Sequence, residues 1–274
     1  MSWAAIGGVP RASLVRVGAM SLRHLYLLRG SWTRLAELAY WPTVQMVLWG
    51  FITQFLATQS SYIANAFGVL LSGVLLWDIL FRGQLGVCIP FLEEMWSRNL
   101  GHMFVSPIRP WEMIVGFLAV SLARTVLGVV PATLLAIVFY GFSVYSLGLP
   151  LIAFFFNLIV FGWAIGLALN GLVLRFGLGA ETLAWVVIMA VAPISGVYYP
   201  VASLPSWLQL VSWCLPSAYV FEGMRAVLID GWVRLDVMLW AGLLNLGYLA
   251  AGAGIFLYCL RAARDRGLIL QIGE

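Results

Sequence analysis

The charged side chains set the first limit on the chemistry of this chain, because they are few. Only 9% of its 274 residues are charged, and all fifteen basic residues are arginine. A P-loop grips nucleotide phosphates through a lysine, so a chain without lysine cannot hydrolyse ATP by itself. Its two histidines and three cysteines are too scattered for a metal site or a disulfide framework. We therefore expect no catalytic residue, no bound cofactor and no metal on this chain.

One stretch carries the residue types of a protein–protein contact. Residues 93–100 alternate apolar and charged side chains as a short amphipathic helix would, within a polar connection that we place at 82–112. A partner that hydrolyses ATP could grip such a helix, so that closure of the partner rotates the neighbouring helices. The alternative is a helix that rests on lipid head groups. The candidate coupling residues are Glu93, Glu94, Met95, Trp96 and Arg98.

Arg124 is the one convincing charge inside an apolar segment. An arginine near the bilayer centre costs roughly 3 kcal/mol on insertion scales, so it needs a partner or water. It either faces a transport path or dimer seam, where it would attract an anionic head group, or it snorkels or pairs with a neighbouring helix. No carboxylate lies clearly in the middle of a span, which argues against a proton- or sodium-coupled carrier.

The elements that carry these residues follow from the composition. The chain is 63% hydrophobic and only 9% charged, whereas a soluble domain carries about 25% charged residues. Lipid is the solvent that suits such a chain, and its length leaves room for six spans of roughly 20 residues each. We predict an all-α integral membrane protein. The six transmembrane helices are placed at about 38–57, 63–81, 113–142, 150–172, 182–200 and 237–259.

Two further segments do not span the membrane in this prediction. Residues 1–37 contain an amphipathic helix at 10–36, with arginines on one arc and leucines on another, as an interfacial helix requires. The alternative is a helix packed on a partner subunit. Residues 38–274 form the transmembrane domain. Within it, residues 201–235 hold two short apolar stretches broken by Pro216, which predicts a re-entrant helical hairpin before the last span.

The arginines also predict the orientation. If both termini are cytoplasmic, the inner side carries about twelve arginines and the outer side about two, which is a strong positive-inside bias. The arginines lie at membrane borders rather than in one patch, so a nucleic-acid partner is not expected.

The region from 192 to 231 carries a specific pattern. It has Ser-Gly followed by an aromatic–proline pair, a Leu-Pro-x-Trp-Leu run, a helix led by proline, and Glu-x-x-Arg before a glycine. Together with VSPIRPWEMIVG at 105–116, this pattern resembles the type-2 ABC transporter permeases. Many members carry Arg-Glu-x-Gly-Thr-Leu-Glu in the first cytoplasmic loop, from which this chain departs at 93–100. The matching positions are Ser195, Gly196, Pro200, Leu204, Pro205, Trp207, Leu208, Pro216, Glu222, Arg225 and Gly231.

The resemblance implies a permease subunit of an ATP-driven exporter in a bacterial inner membrane. It implies a homodimer or heterodimer of permeases that contacts membrane lipids and joins a P-loop ATPase subunit, which binds ATP and Mg. The cargo would be a drug-like molecule, a lipid or a lipid-linked glycan. Glu222 and Arg225 would form an i,i+3 pair in an extracellular cap, with a structural role or a substrate contact. The neighbouring aromatics would form an interface belt or a stacking surface for a flat or sugar ligand.

Two rival functions remain at this point. A gradient-driven carrier or channel that acts without an ATPase would need a titratable carboxylate within a span or inverted repeats. A membrane-embedded transferase would need histidines or carboxylates clustered at one membrane face. The sequence offers neither pattern.

Overall fold

The computed structural model describes residues 10–59 and 67–267, and the regular elements within these two ranges are all helical. Short 3-10 turns lie at Val144–Leu147, Leu178–Ala180 and Val201–Ser203, and a π turn lies at Ala226–Asp230. The described part of the chain holds ten α-helices, which are α1 Pro10–Arg29, α2 Trp32–Gln59, α3 Phe67–Trp96, α4 Leu100–Val105, α5 Pro110–Tyr140, α6 Pro150–Phe176, α7 Leu183–Ile194, α8 Ser206–Trp213, α9 Pro216–Arg225 and α10 Leu235–Asp265.

Four of the described helices are long and apolar enough to cross a membrane, namely α3, α5, α6 and α10. The predicted all-α architecture is therefore confirmed for the described residues, with four rather than six helices long and apolar enough to span. The other two predicted spans correspond to α2 and α7. Helix α2 has 28 residues but carries Arg34 and Glu37 in its first turns. Helix α7 has 12 residues and is about 18 Å long, which is shorter than a hydrocarbon core of about 30 Å.

The predicted amphipathic helix ends earlier than expected. Helix α1 stops at Arg29, and Gly30 and Ser31 separate it from α2. Its inner face consists of Met20, His24 and Leu28, which recur every four residues and are each at most 6% exposed. Met20 packs over Gly116 of α5. Leu14, placed on the predicted apolar stripe, is 72% exposed, so the outer face of α1 presents apolar side chains to its surroundings.

The predicted polar connection at 82–112 starts too early. Helix α3 continues to Trp96, and the connection begins at Ser97 and contains α4. Asp78 and Arg82 lie at the predicted border between the second span and this connection, but both are buried along α3. The Arg82 Nε atom lies 2.6 Å from the Asp78 Oδ2 atom. Because the two opposite charges lie one turn apart and neutralise each other, the helix can keep them inside the bundle.

Helix α3 lies at the centre of the bundle. In its most apolar 18-residue stretch, 89% is buried. Glycines let its neighbour α6 approach closely, as small residues do between membrane helices. A Cβ atom on Gly162 would lie 2.7 Å from the Leu80 carbonyl oxygen, and one on Gly166 would lie 2.9 Å from the Gln84 carbonyl oxygen. On its other side, α6 packs against α10, where Gly252 meets the backbone of Ala164.

The last third of the chain forms two short helices before α10. Helix α7 ends at Ile194, earlier than the predicted limit at 200, and a turn follows that contains Gly196 with φ 66°. The predicted break at Pro216 is present: α8 and α9 are separate helices, and Pro216 starts α9, where its missing N–H costs nothing. We call α8 and α9 the helical hairpin.

The bundle has two polar ends, which we name for use below. At the hairpin end, the Val197 carbonyl lies against Gly73 of α3. At the arginine end, Glu94 of α3 pairs with Arg23 of α1. Gly73 and Glu94 lie about 30 Å apart along one helix, so the two polar ends are well separated.

Candidate functional site

A buried carboxylate fastens α1 to the first turn of α5 at the arginine end. The Arg16 Nη2 and Nε atoms lie 2.6 and 2.9 Å from the two oxygens of Glu112, and the Ser13 hydroxyl donates to Glu112 at 2.6 Å. The backbone N–H of Arg109 donates to the same carboxylate at 2.9 Å. Glu112 also lies near the positive end of the α5 dipole, which favours its charge. The carboxylate therefore has four donors from two segments of the chain.

The end of α3 is fastened in the same way, and this places two of the predicted coupling residues. Glu93 pairs with Arg34 of α2 at 3.1 Å, and Glu94 pairs with Arg23 of α1 at 2.7 Å. The side-chain amide of Asn99 donates to Glu94 as well. Glu94 is 1% exposed, so its carboxylate is used within the chain and offers no surface to a partner.

The His24 imidazole lies inside this network. Its Nε2 atom is 3.4 Å from a Glu94 oxygen, and the side chain is 2% exposed. Burial lowers the pKa of His24, and the attraction of Glu94 opposes this lowering only in part. The ring is therefore neutral at neutral pH, and the arginines carry the positive charge of α1.

The other predicted coupling residues lie just beyond the network. Met95 is 2% exposed and belongs to the core, whereas Trp96 is 51% exposed. Arg98, also exposed, adopts φ 55°, the left-handed conformation of a sharp turn. The Trp96 indole N–H donates to Glu181 at 3.3 Å, which ties the α3–α4 connection to the α6–α7 connection. We call Trp96, Arg98 and Val105, the exposed last residue of α4, the connection surface.

At the hairpin end, the predicted pair of Glu222 and Arg225 is present, with Arg225 Nη1 3.1 Å from Glu222 Oε1. Arg225 also donates to the Gly196 carbonyl and, at 2.8 Å, to the Tyr199 carbonyl. Glu222 accepts the N–H of Val201 at 2.7 Å. Both side chains are thus committed to the turn after α7, and they hold α9 against it.

Three serines reinforce this arrangement. The hydroxyls of Ser195 and Ser217 lie 2.8 Å apart, and the Ser212 hydroxyl donates to the Ile194 carbonyl at 2.6 Å. The hairpin and the turn therefore form one locked unit. Beside it lies an open cleft of about 620 Å³. Its charged and aromatic lining consists of Glu222, Arg225, Asp230, Trp232, Arg234 and Asp236.

Arg124 lines a pocket on the flank of the bundle, between α2, α3, α5 and α7. The pocket has a volume of about 50 Å³. Within the ranges 10–59 and 67–267, no carboxylate oxygen lies within 4 Å of the Arg124 guanidinium. Its polar and aromatic lining consists of Glu37, Trp41, Phe81, Arg82, Arg124 and Trp185.

The comparison with known proteins identifies the family. Residues 26–229 match the ABC-2 type transporter family, which is well over half of the chain. The chain belongs to the ABC-2 type transporter family. The match begins inside α1 and ends in the π turn after α9, so it includes the connection surface, the Arg124 pocket and the helical hairpin.

Individual relatives are more distant. The inner membrane transport permease YadH of Escherichia coli (strain K12) is 23% identical over 153 residues, and so is the same permease of Shigella flexneri. The aligned region covers 56% of this chain and 59% of each relative, so the chain spans less than two thirds of their length. Membership of the ABC-2 type transporter family agrees with the resemblance read from the 192–231 pattern.

Sequence reasoning missed the acceptor of the α1 arginines. Glu112 was placed in a polar connection, although Pro110 followed two residues later by a glutamate is a signal for a helix start. Among the described residues, no three His, Cys, Asp or Glu side chains are arranged to hold a metal ion.

We expect Glu112→Gln to loosen α1 from the bundle. The neutral amide keeps the shape but loses the charge that four donors share, at a cost of about 2 kcal/mol for hydrogen bonds to a charged group. Hydrogen exchange of the α1 amides should accelerate about 30-fold while α6 amides keep their protection. Glu181→Gln, which changes a carboxylate with a single long contact, is the matched control. Equal exchange in both variants would contradict the proposed role of Glu112.

Proposed function

We propose that this chain is the membrane-spanning permease subunit of an ATP-driven exporter in a bacterial inner membrane. The cargo is an amphipathic molecule, either drug-like, a lipid or a lipid-linked glycan. ATP and Mg bind a separate P-loop ATPase subunit, because this chain has no lysine for a P-loop of its own. Family membership and the four long apolar helices support a transport role.

In this proposal the arginine end faces the cytoplasm, and so do both termini. The arginines of α1, the α3–α5 connection and the last turn of α10 all favour the inner side. The outer face of α1 carries exposed apolar side chains next to arginines, which suits a helix lying in the inner head-group layer. The helical hairpin then lies at the outer surface as a re-entrant cap.

The observation that carries the proposal is the construction of the connection surface. An exposed tryptophan and an exposed arginine are the side chains most often found at the centre of protein interfaces. Here they sit directly after Glu93 and Glu94, which bind α2 and α1. A force applied at Trp96 would therefore move the end of α3 together with α1 and α2, which is what a coupling contact requires.

A second copy or a similar permease completes the pathway in this proposal. A single bundle of this size offers at most half of a pathway. Helix α2 leaves a row of large apolar side chains uncovered, which either lipid or a partner permease can cover. These side chains are Tyr40, Trp41, Leu48, Phe51 and Phe55.

One observation favours the rival carrier. Asp78 is a buried carboxylate within a span, whereas the sequence prediction found no carboxylate clearly in the middle of one. However, Arg82 neutralises it at 2.6 Å, so an ion could bind only after that pair opens. A carrier of this kind would move cargo in vesicles without nucleotide, and Asp78→Asn would abolish that movement.

The coupling assignment predicts that Trp96→Ala combined with Arg98→Ala separates the chain from its ATPase. Loss of a central tryptophan in an interface costs about 2 kcal/mol or more, so nucleotide hydrolysis recovered with the tagged chain should fall by about 30-fold. The measurement is ATP hydrolysis per purified chain, extracted from the membranes of the organism that makes it. Trp207→Ala removes a tryptophan that is even more exposed, at the other end of the molecule, and should recover full activity. Full recovery with both variants would refute the assignment.

A further inference from the structure

The Arg124 pocket has a composition that ordinary packing between membrane helices does not need. It brings two arginines and one glutamate together with two tryptophans that are about half exposed. Trp41 is 51% exposed and Trp185 is 43% exposed, so the pocket opens sideways, towards the surroundings of the bundle. Amphipathic indole rings of this kind concentrate where hydrocarbon meets head groups.

Helix lengths place the pocket at the boundary between the hydrocarbon core and the head groups. The ring of Phe142, which follows α5, lies against Gly68 at the start of α3, so the two helices share a level at the hairpin end. Counting about 20 residues, or 30 Å, from Tyr140 at the end of α5 and from Gly68 leads to Val120 on α5 and Cys88 on α3. Arg124 lies one turn inside this limit, well short of the bilayer centre. Its side chain can therefore reach the phosphate layer of the arginine end.

The charges around the pocket are divided between committed and available groups. Arg82 is bound to Asp78 at 2.6 Å, and its guanidinium fills the space that Gly128 leaves free. Glu93 and Glu37 both attract Arg124, but Glu93 is already paired with Arg34 at 3.1 Å. Glu37 is exposed and has no ion pair within 4 Å among the residues that the structure describes. The pocket thus offers one available cation and one available anion on different helices.

We propose that this pocket binds the zwitterionic head group of a phosphoethanolamine lipid. The phosphate accepts hydrogen bonds from Arg124, whose planar guanidinium can donate two at once. The primary ammonium lies against the carboxylate of Glu37, and the acyl chains leave past Trp41 and Trp185 into the bilayer. A volume of about 50 Å³ holds a few water-sized groups, which is the space that phosphate oxygens require.

This inference goes beyond the proposed function, because it needs neither an ATPase nor transport. It also differs from a direct pairing of Glu37 with Arg124. If the two side chains simply neutralise each other, either substitution weakens the same contact and lipid identity has no influence. If they bind a head group, Arg124 determines whether a phospholipid binds, and Glu37 determines which head group is preferred.

The test is native mass spectrometry of the purified chain with phosphatidylethanolamine or phosphatidylglycerol of identical acyl chains. The wild type should retain phosphatidylethanolamine in preference to phosphatidylglycerol. Arg124→Gln should weaken both lipids by about tenfold, since it removes a charge-assisted contact to phosphate. Glu37→Gln changes an exposed side chain, so this variant should fold as the wild type does. It should erase the preference by weakening phosphatidylethanolamine and strengthening phosphatidylglycerol.

Two controls make the result decisive. Arg175→Gln removes an exposed arginine near the same end and should leave both lipids bound as in the wild type. Soluble phosphoethanolamine, which lacks acyl chains, should compete only weakly. The proposal is overturned if Arg124→Gln matches Arg175→Gln, if Glu37→Gln keeps the lipid preference, or if the soluble compound binds as tightly as the lipid.

Discussion

Gly162→Leu should prevent the central helices from packing and strongly destabilise the chain. A side chain at this position meets backbone on α3, since even its Cβ atom would lie 2.7 Å from the Leu80 oxygen and 2.8 Å from the Gln84 nitrogen. Backbone atoms cannot move aside as a flexible side chain can. We expect the free energy of unfolding in detergent to fall by about 3 kcal/mol or more, through separation of α3 and α6.

The measurement is the thermal unfolding midpoint of the purified variant, together with its elution as a single species on size exclusion. Gly247→Leu is the matched control, because this glycine also lies in a long apolar helix but has no atom within 4 Å of its Cβ position. The control should unfold at nearly the wild-type temperature. A Gly162→Leu variant as stable as the control would mean that α3 and α6 are not in the close contact described.

Arg225→Met should release the turn after α7 from the helical hairpin. The arginine is 7% exposed and binds Glu222 together with the carbonyls of Gly196 and Tyr199. Its loss leaves the two carbonyl oxygens without this donor and leaves Glu222 with only the Val201 N–H, in a partly buried site. Removing one partner of a buried ion pair costs about 3 to 5 kcal/mol. We expect Arg225→Lys to rescue little, because an ammonium cannot reach three acceptors in the same plane.

Hydrogen exchange over the 195–201 turn and α9 reports this release directly, and protection in both should be lost while α6 keeps its own. Arg234→Met provides the control. Arg234 pairs with Asp236 at 2.7 Å, but the two side chains are 41% and 59% exposed, so the pair contributes less than about 1 kcal/mol. If the two arginine variants lost protection equally, the burial of Arg225 would not increase its contribution to stability.

Much of the fold could be predicted because apolar stretches and prolines determine where helices form and end from residues that are close in sequence. The break at Pro216 and the pair formed by Glu222 and Arg225 depend on residues close in sequence, and both are present. The limit of the second span could not be predicted in this way. Arg82 looked like the end of a helix, but the carboxylate one turn earlier neutralises it, so α3 continues to Trp96.

The candidate site was only partly accessible to sequence reasoning. Trp96 and Arg98 lie on the surface as a coupling contact requires, but Glu94 and Met95 do not. An amphipathic pattern around 93–100 shows that charges and apolar groups alternate, and it cannot show that Arg23, 71 positions earlier, will bind one of those charges. The contact of Arg16 with Glu112 spans even more of the sequence, at 96 positions. Such long-range ion pairs depend on how the helices pack, and no local pattern records them.

The claim that energy comes from a second subunit is tested most directly by reconstitution in vesicles. The measurement is the movement of a fluorescent phosphatidylethanolamine and of a drug-like rhodamine dye. It compares the chain alone with the chain joined to its co-purified ATPase, each with ATP and with a non-hydrolysable analogue. We expect at least one probe to move only when the ATPase and hydrolysable ATP are both present. Equal movement by the chain alone, with no nucleotide, would contradict the assignment.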